Sequence, residues 1–378
     1  MTSSESRFPT ANSTLQQCRK PATVLAVLAL AGIPAAPAFA ETRSFVVSWL
    51  TQAVYSQEGD CPGGVEPNIE VRFRGILADM GKSPKEIDEL MSEFNGGGGP
   101  GPVHEMLRNR GSAEGKRVFV GDNPTAVPDP KIHTVASKIG PGFNLDGKDT
   151  GDSFEDPDTH ETGVDNQYFR ALGCFASHRA MPPDQPTMWF YAWDATRDRT
   201  KGWVISIDGK DLSKDGDVTV AFGRALETPI RTPKGMPQRD QTFRADPTPR
   251  FQNTFKGHMK DGEVTIDPAP FHIVTGGGYL PLEMKLTQTR LRLKPKPDGS
   301  IEGMLGGYQP WLGIYYMYAG GGYGYESMVG LNLPGIYYAL RRLADAEPDP
   351  KTGQNMSISA AYRFEAVPAI VVRNTAQK

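Results

Sequence analysis

The stretch 141–178 constrains the fold most, because it joins an acidic loop to a predicted helix that carries a cysteine. Its first half holds eight carboxylates between Asp146 and Asp165 and almost no apolar side chains. Its second half opens at Asp165 or Asn166, residue types that are favoured at a helix N-cap. Cys174 lies in this predicted helix, so a disulfide there would fasten the helix to a distant part of the chain.

The cysteines predict one such bridge. The chain contains Cys18, Cys61 and Cys174, and Cys18 precedes a predicted signal peptidase site. In an oxidising compartment the remaining pair is expected to form a disulfide. In the chain-entropy model, closing so long a loop contributes about 4–5 kcal/mol. The alternatives are buried thiols, or a nucleophile pair of Cys174 with His178 one helical turn away.

Residues 1–40 have the pattern of a signal peptide. A polar lead is followed by an apolar run at 22–30 and by Ala38-Phe39-Ala40, a small-x-small cleavage signal. The apolar run is shorter than the about 20 residues that span a bilayer. We therefore expect a periplasmic or secreted protein that does not span the membrane once the signal is removed, with an N-terminal anchor as the alternative.

The charge balance argues against nucleic acid as a partner. Removing the predicted leader lowers Lys+Arg from 41 to 38 and Asp+Glu from 44 to 43, which gives a net charge of −5. Phosphate backbones are bound by concentrated basic surfaces, and this chain has none that the sequence reveals.

The acidic loop predicts a calcium site. Ca²⁺ binds six to eight oxygen ligands, which loops of carboxylates and carbonyls supply. Gly147, Gly151 and Gly163 permit the tight turns that such a loop needs. The spacing is not that of an EF-hand, and a solvated loop whose Asp and Asn side chains close turns is the alternative. The candidate calcium ligands are Asp146, Asp149, Asp152, Asp156, Asp158 and Asp165.

Turn signals and short alternating segments predict a mostly β chain of the α+β class. Gly (42) and Pro (32) together make up about a fifth of the residues, which favours many short elements over a helical bundle. After the signal peptide we expect a helical portion with one strand at 41–140, the acidic loop and a linking helix at 141–186, and a β-rich domain at 187–378. The helical portion would pack on an antiparallel β-sandwich or a jelly-roll-like core.

Two local signals are the sharpest. Ser83 followed by Pro84 and Glu86 predicts a helix start with a capping box. The alternating segment 282–293, the Asp-Gly turn at 298–299 and the segment 301–305 predict a β-hairpin.

The segment 308–338 is the predicted ligand surface, because it holds eight of the 13 tyrosines. Tyr and Trp rings present a flat apolar face with a polar tip, which suits stacking on sugars or flat organic molecules. A tightly packed core in which glycine accommodates large rings is the alternative. The candidate ligand-binding residues are Tyr308, Trp311, Tyr315, Tyr323 and Tyr325.

No catalytic motif is present. The sequence has no GxSxG nucleophile elbow and no histidine pair with metal-ligand spacing, so whether the protein is an enzyme stays open. We expect a binding or structural protein, stabilised by calcium and one disulfide, that takes a small-molecule or carbohydrate ligand. The alternative is an exported hydrolase that acts on a carbohydrate or an ester with paired carboxylates, for which Asp194, Glu283 and Glu326 are candidates. Paired carboxylates lining one pocket would favour the enzyme, and a flat aromatic platform would favour binding.

Overall fold

Strands make up most of the regular structure, and short helices lie between them. The computed structural model describes residues 41–92, 94, 102–179, 193–276, 281–320, 326 and 331–373. The strands are β1 (Glu41–Gln52), β2 (Gly111–Ala113), β3 (Lys116–Val118), β4 (Trp193–Asp194), β5 (Trp203–Gly209), β6 (Gly216–Arg224), β7 (Gln241–Arg244), β8 (Gln252–Lys260), β9 (Glu263–Ile266), β10 (Ala269–Gly276), β11 (Pro281–Pro295), β12 (Ile301–Pro310), β13 (Ala346–Pro348) and β14 (Asn355–Val372). The helices are α1 (Ile69–Asp79), α2 (Pro84–Ser92), α3 (Pro102–Arg108), α4 (Gln167–Leu172), α5 (Ala195–Asp198), α6 (Trp311–Ala319) and α7 (Leu333–Leu343). Within these ranges no helix combines the length and the apolar character needed to cross a membrane.

Eight of the described strands close into an antiparallel barrel. β1 pairs with β5 on one side and with β14 on the other. From β5 the ring runs through β6, β8, β9, β11 and β12 to β14. The strands β4, β7, β10 and β13 lie beside this ring, and β7 pairs in parallel with the end of β14. The predicted sandwich or jelly-roll-like core is therefore wrong.

Closure of the barrel depends on pairing that no local pattern encodes. A strand with one buried face has the same period of two residues in a sandwich and in a barrel. What distinguishes them here is the register of β1 on β14, in which Val46 lies opposite Val367 and Leu50 lies opposite Phe364. These partners come from opposite ends of the described chain.

Aromatic and branched side chains fill the barrel. Phe222 packs against Phe271 and Phe364, with ring centroids 5.2 and 5.8 Å apart. Phe364 lies so close to Gly303 that an added Cβ would be 2.0 Å from its ring. Because side chains fill the interior, a binding site is expected at the ends or on the outer wall of the barrel.

The prediction that a helical N-terminal portion packs on a separate β core is wrong, because the one strand predicted in that portion, β1, is itself a strand of the barrel wall. Helices α1, α2 and α3 do form, and they pack on one another around residues such as Phe73 and Leu77. The predicted capping box at the start of α2 is confirmed. The Ser83 N–H donates to Glu86 Oε2 (2.8 Å), and the Glu86 N–H donates to Ser83 Oγ (3.4 Å).

Three helices cover one end of the barrel, which we call the helical end. α6 follows β12 directly, and α7 packs against both α4 and α6. α4 is held to the start of β14 by a hydrogen bond from the Gln167 N–H to Ser359 Oγ (2.9 Å). The Tyr318 hydroxyl joins these helices further, since it lies 2.5 Å from the Tyr168 hydroxyl and 3.0 Å from His178 Nε2.

The acidic loop packs on the outer wall of the barrel. Phe143 lies with Met304 and Ala361 in a small apolar cluster, and it covers Gly306, where a Cβ would be 2.7 Å from its ring. The guanidinium of Arg292 lies 5.2 Å from the centroid of the same ring. Phe143, with Leu145 in the same cluster, thus anchors the loop over β12 and β14.

The predicted disulfide is confirmed. Cys61 and Cys174 are bonded, with their Cα atoms 5.8 Å apart. Arg179 reinforces the junction, because its Nη2 donates to both carboxylate oxygens of Asp60 at 2.8 Å. The segment after α4 is therefore fastened to the chain that precedes α1.

Candidate functional site

Residues from three separate segments, β12, the acidic loop and the segment after α7, lie near one another on the outer wall at the helical end. Tyr308 lies near the end of β12, in the same outward-facing cluster as Phe143. Asp165 immediately precedes the N-cap of α4, and its Oδ2 accepts hydrogen bonds from the N–H groups of Leu145 (2.8 Å) and Asp146 (3.4 Å). Asp345 follows α7. We call Tyr308, Asp146, Asp165 and Asp345 the outer-wall cluster.

Asp345 is fixed in this position by one residue of β14. The N–H of Ser359 donates to its Oδ1 at 2.7 Å, and the Ser359 hydroxyl donates to its Oδ2 at 2.6 Å. Ser359 is fully buried, whereas the Asp345 residue keeps a solvent-exposed surface. The carboxyl group is therefore enclosed by protein on one side and open to solvent on the other.

Two carboxyl groups of the cluster, Asp165 and Asp345, have raised pKa values. Burial raises the pKa of Asp165 to about 6, and the charges of Asp146 and Asp345 raise it further while two backbone N–H groups oppose the shift. Burial likewise raises the pKa of Asp345 to about 6, against the hydrogen bonds from Ser359, and the charge of Asp146 adds to it. The pKa values of both carboxyl groups therefore lie near 6, well above the ordinary value of 3.8, chiefly because burial disfavours the charged form.

Tyr308 stays a hydroxyl donor beside these carboxylates. Burial and the negative charges of Asp165, Asp345 and Asp146 raise its pKa, and only Arg290 acts in the opposite direction. The ring is half-buried. The cluster therefore offers an apolar ring face, a phenol donor and carboxylate acceptors within one small area.

The structure brings together three of the residues that the sequence predicts to be functional, although they were predicted for two different sites. Asp146 and Asp165 are predicted calcium ligands, and Tyr308 is a predicted ligand-binding residue. Asp345 was not nominated, because it lies in the segment between α7 and β13 without a motif around it. Its position in the cluster is set by two hydrogen bonds from Ser359, which is 14 residues away in sequence.

The other predicted calcium ligands have separate surroundings. Asp156 closes a turn, since its Oδ1 accepts from the N–H groups of Asp158 (3.0 Å) and Thr159 (2.8 Å), and it is 0% exposed. Asp152 contributes its backbone carbonyl to Arg170 at 3.0 Å, and Asp149 is exposed. Among the described residues no three His, Cys, Asp or Glu side chains gather as an ion site. The calcium site stays a prediction.

Two of the predicted aromatic residues lie in the core. Trp311 is 4% exposed and Tyr315 is 1% exposed, and both pack edge-on against Tyr337 with ring centroids 5.3 and 5.2 Å away. The Tyr315 hydroxyl donates to the Gly121 carbonyl at 2.6 Å. These rings pack α6 against α7 and offer no flat surface. Tyr323 and Tyr325 lie outside the described residues.

The carboxylates nominated for catalysis have structural partners. Glu326 is 1% exposed and accepts two hydrogen bonds from Arg110, at 2.8 and 2.9 Å. Glu283 lies 2.8 Å from His272 on the outer wall. Asp194 belongs to the short strand β4, on the edge of β1. No contact joins these three carboxylates in the described part of the chain.

The alternative nucleophile pair is ruled out, because the sulfur of Cys174 is in the disulfide. His178 instead belongs to the buried chain of hydroxyls. Burial lowers the pKa of His178 to about 3 and raises that of Tyr168. Both groups are therefore neutral at physiological pH, and their hydrogen bonds hold the helical end together rather than exchange protons.

A cavity of about 460 Å³ lies elsewhere on the outer wall, between β5, β6 and β8 and the end of β14. Its polar groups are engaged. Arg373 binds both carboxylate oxygens of Asp208 at 2.6 Å, and the Asn253 amide bonds the backbone of Phe222 and His272. The cavity has volume for a ligand, but its charged lining residue Arg373 is already paired with Asp208, so the outer-wall cluster is the better candidate for chemistry.

Comparison with known proteins adds no further constraint. No family model matches the chain, and neither the curated proteins nor the solved structures contain a significant match. The function is therefore argued from the geometry of the outer-wall cluster.

Proposed function

We propose that this chain is an exported binding protein whose ligand is a carbohydrate or a similar hydroxyl-rich small molecule, held at the outer-wall cluster. The observation that carries the proposal is the position of Tyr308, which lies opposite Ser359 in the β12–β14 ladder. Ser359 holds Asp345, Asp165 binds the Asp146 N–H, and Asp146 and Asp345 are solvent-exposed. Export is supported by the leader pattern of residues 1–40 and by the disulfide, which favours an oxidising compartment.

The chemistry of the cluster suits such a ligand. An aromatic face packs on the C–H groups of a sugar ring. Ionised carboxylates accept hydrogen bonds from hydroxyls, and the Tyr308 hydroxyl can donate one in return. Because the carboxylate pKa values lie near 6, affinity is expected to rise with pH through that range as the stronger, charged acceptors form.

Calorimetric titration of the mature protein with a panel of mono- and oligosaccharides tests the proposal. Tyr308→Ala is expected to weaken the best ligand roughly tenfold, about 1.4 kcal/mol, and Asp345→Asn is expected to weaken it as well. The matched control is Tyr316→Ala on α6, where the ring is 57% exposed and lies away from the cluster. Equal affinity in all three variants, or no binding across the panel, would reject the site.

We also propose that calcium stabilises the loop that carries Asp146 and Asp165, the two predicted ligands that reach the cluster. Elemental analysis of the purified protein and its melting temperature with and without chelator are the tests. Bound calcium with a lower melting temperature in chelator would support it. An ion-free protein that chelator leaves unchanged would exclude calcium.

A second candidate function is hydrolysis of a glycoside or an ester. The observation that favours it is the raised pKa of both Asp165 and Asp345, since carboxyls with a pKa near 6 suit general acid and base roles near neutral pH. Turnover of chromogenic glycosides and esters should then show a bell-shaped pH profile that both Asp165→Asn and Asp345→Asn abolish. Asp149→Asn, in the same loop, is the control and should keep full activity. Saturable binding without turnover would leave the binding function alone.

A further inference from the structure

A second, oppositely charged pocket lies at the rim of the helical end, where β5 begins and β6 ends. Its volume is about 330 Å³. The residues that line it include three cations and no carboxylate: Arg199, Thr200, Lys201, Trp203, Arg224, Thr228 and Val274. It shares no residue with the outer-wall cluster, so it requires an explanation of its own.

One of its cations is held in a fixed orientation. The guanidinium of Arg224 lies 3.2 Å from the centroid of the Phe251 ring. Its Nε and Nη2 donate to Asp246 Oδ2 at 3.1 and 2.6 Å. Asp246 thus neutralises the charge of Arg224 and fixes the orientation of its guanidinium plane. The Arg224 side chain is 25% exposed.

The other two cations are not balanced by carboxylates. In the described part of the chain neither Arg199 nor Lys201 forms an ion pair, and Lys201 donates only to the Leu226 carbonyl (2.9 Å). The carboxylates nearest in sequence are engaged elsewhere. Asp198 accepts from the Asp194 N–H at 2.8 Å, and Glu227 binds Arg244 at 2.6 Å. The pocket therefore carries a net positive charge.

The backbone and the wall of the pocket add specificity. Arg199 has a φ of 47°, in the left-handed region that a side chain adopts only at a cost of about 1 kcal/mol or more. Trp203, which lies opposite Arg224 in the β5–β6 ladder, is 3% exposed and closes the inner side together with Val274. The wall thus combines apolar surface with a fork of cationic donors.

We infer that this rim pocket binds a small organic phosphate. Arginine forks and a lysine ammonium match the oxygens of a phosphate dianion, and the Trp203 side accepts an apolar substituent. A volume of about 330 Å³ is at the lower end of the range for small-molecule sites, so the ligand is a compact monoester. This inference does not depend on the function proposed for the outer-wall cluster.

Titration with phenyl phosphate, inorganic phosphate and benzoate tests the assignment. Phenyl phosphate is expected to bind most tightly, because inorganic phosphate lacks the apolar ring and benzoate carries a single negative charge on two oxygens. Arg199→Gln and Lys201→Gln should each weaken it about tenfold. Both side chains are exposed, so neither change is expected to disturb folding, and melting temperature checks this.

The matched control is Lys260→Gln, because Lys260 is an exposed cation at the other end of the barrel. It should bind phenyl phosphate as the wild type does. The inference is overturned if phenyl phosphate does not bind at millimolar concentration. It is also overturned if Arg199→Gln and Lys201→Gln bind like the wild type, if Lys260→Gln is weakened equally, or if inorganic phosphate binds as tightly as phenyl phosphate.

Discussion

At the scale of single residues, Asp165 links the charge of one carboxyl to the stability of the fold. Its pKa is about 6 in the folded protein, against an ordinary value of 3.8. Between these values the folded protein binds more protons than the unfolded chain. The contribution of this group to the free energy of unfolding is therefore largest below about pH 4, and it falls as the pH rises through 6.

Asp165→Asn is expected to remove that dependence. Between pH 4 and pH 7, the free energy of unfolding of the wild type should fall by about 1–2 kcal/mol more than that of the variant. A shift of one pKa unit corresponds to about 1.4 kcal/mol, and the partial exposure of Asp165 screens the effect. Urea unfolding at both pH values measures the difference. Asp149→Asn, an exposed acid in the same loop, should follow the wild type. An Asp165→Asn variant that also follows the wild type would contradict the raised pKa.

Glu326 supports a different prediction, because its charge is compensated within the protein. It is 1% exposed and binds the guanidinium of Arg110, which is 6% exposed. Glu326→Gln removes that compensation from a buried cation and should cost about 3 kcal/mol in urea unfolding at pH 7. The exposed pair of Lys85 with Glu89 (3.9 Å) provides the control, and Glu89→Gln should change stability by less than about 0.5 kcal/mol. Equal effects of the two substitutions would show that the buried pair adds nothing.

At the scale of elements, substitutions at two glycines distinguish the effect of packing in the barrel from the effect of helix propensity. An alanine at Gly303 on β12 would place its Cβ 2.0 Å from the Phe364 ring, whereas Gly313 on α6 has open space around it. Gly303→Ala is expected to destabilise the protein by about 1–3 kcal/mol through overpacking. Gly313→Ala is expected to stabilise it by up to about 1 kcal/mol through helix propensity. Thermal unfolding of both variants measures the effects, and a shift of the same sign in both would refute the packing argument.

Local elements could be predicted where their cause is local. The capping box of Ser83 and Glu86 forms as expected, and so does the hairpin of β11 and β12, whose strands pair from Thr287 to Pro295. The aromatic segment shows the limit. Tyrosine and tryptophan at helical spacing have the same pattern whether they face a ligand or the core, and in α6 Trp311 and Tyr315 face the core.

At the scale of the whole molecule, the disulfide joins two distant parts of the chain covalently. It joins residues that are 113 apart in sequence. Removing it with a Cys61→Ala/Cys174→Ala double variant should lower the free energy of unfolding by about 2–5 kcal/mol. Calorimetry with and without reductant measures this, and the double variant should be indifferent to reductant. A wild-type protein that is equally indifferent would show that the bridge contributes no stability.

The barrel and the outer-wall cluster could not be predicted for a related physical reason. Closure requires β1 to pair with β14, and the cluster requires Asp345 to meet Asp165 through Ser359. Both depend on which distant segments come together. The sequence could place Asp146, Asp165 and Tyr308 on candidate surfaces, but only the folded wall puts them on the same one.

The double pairing of β14 also sets the timing of folding during synthesis. β14 contacts β12 on one edge and β1 on the other, so a nascent chain that has emerged only as far as β12 is an open sheet with two unpaired edges. Such edges are sites of misassociation. The ring completes only after the segment up to about residue 368 has left the ribosome. Until then the sheet stays unclosed, with one edge at β12 and the other at β1.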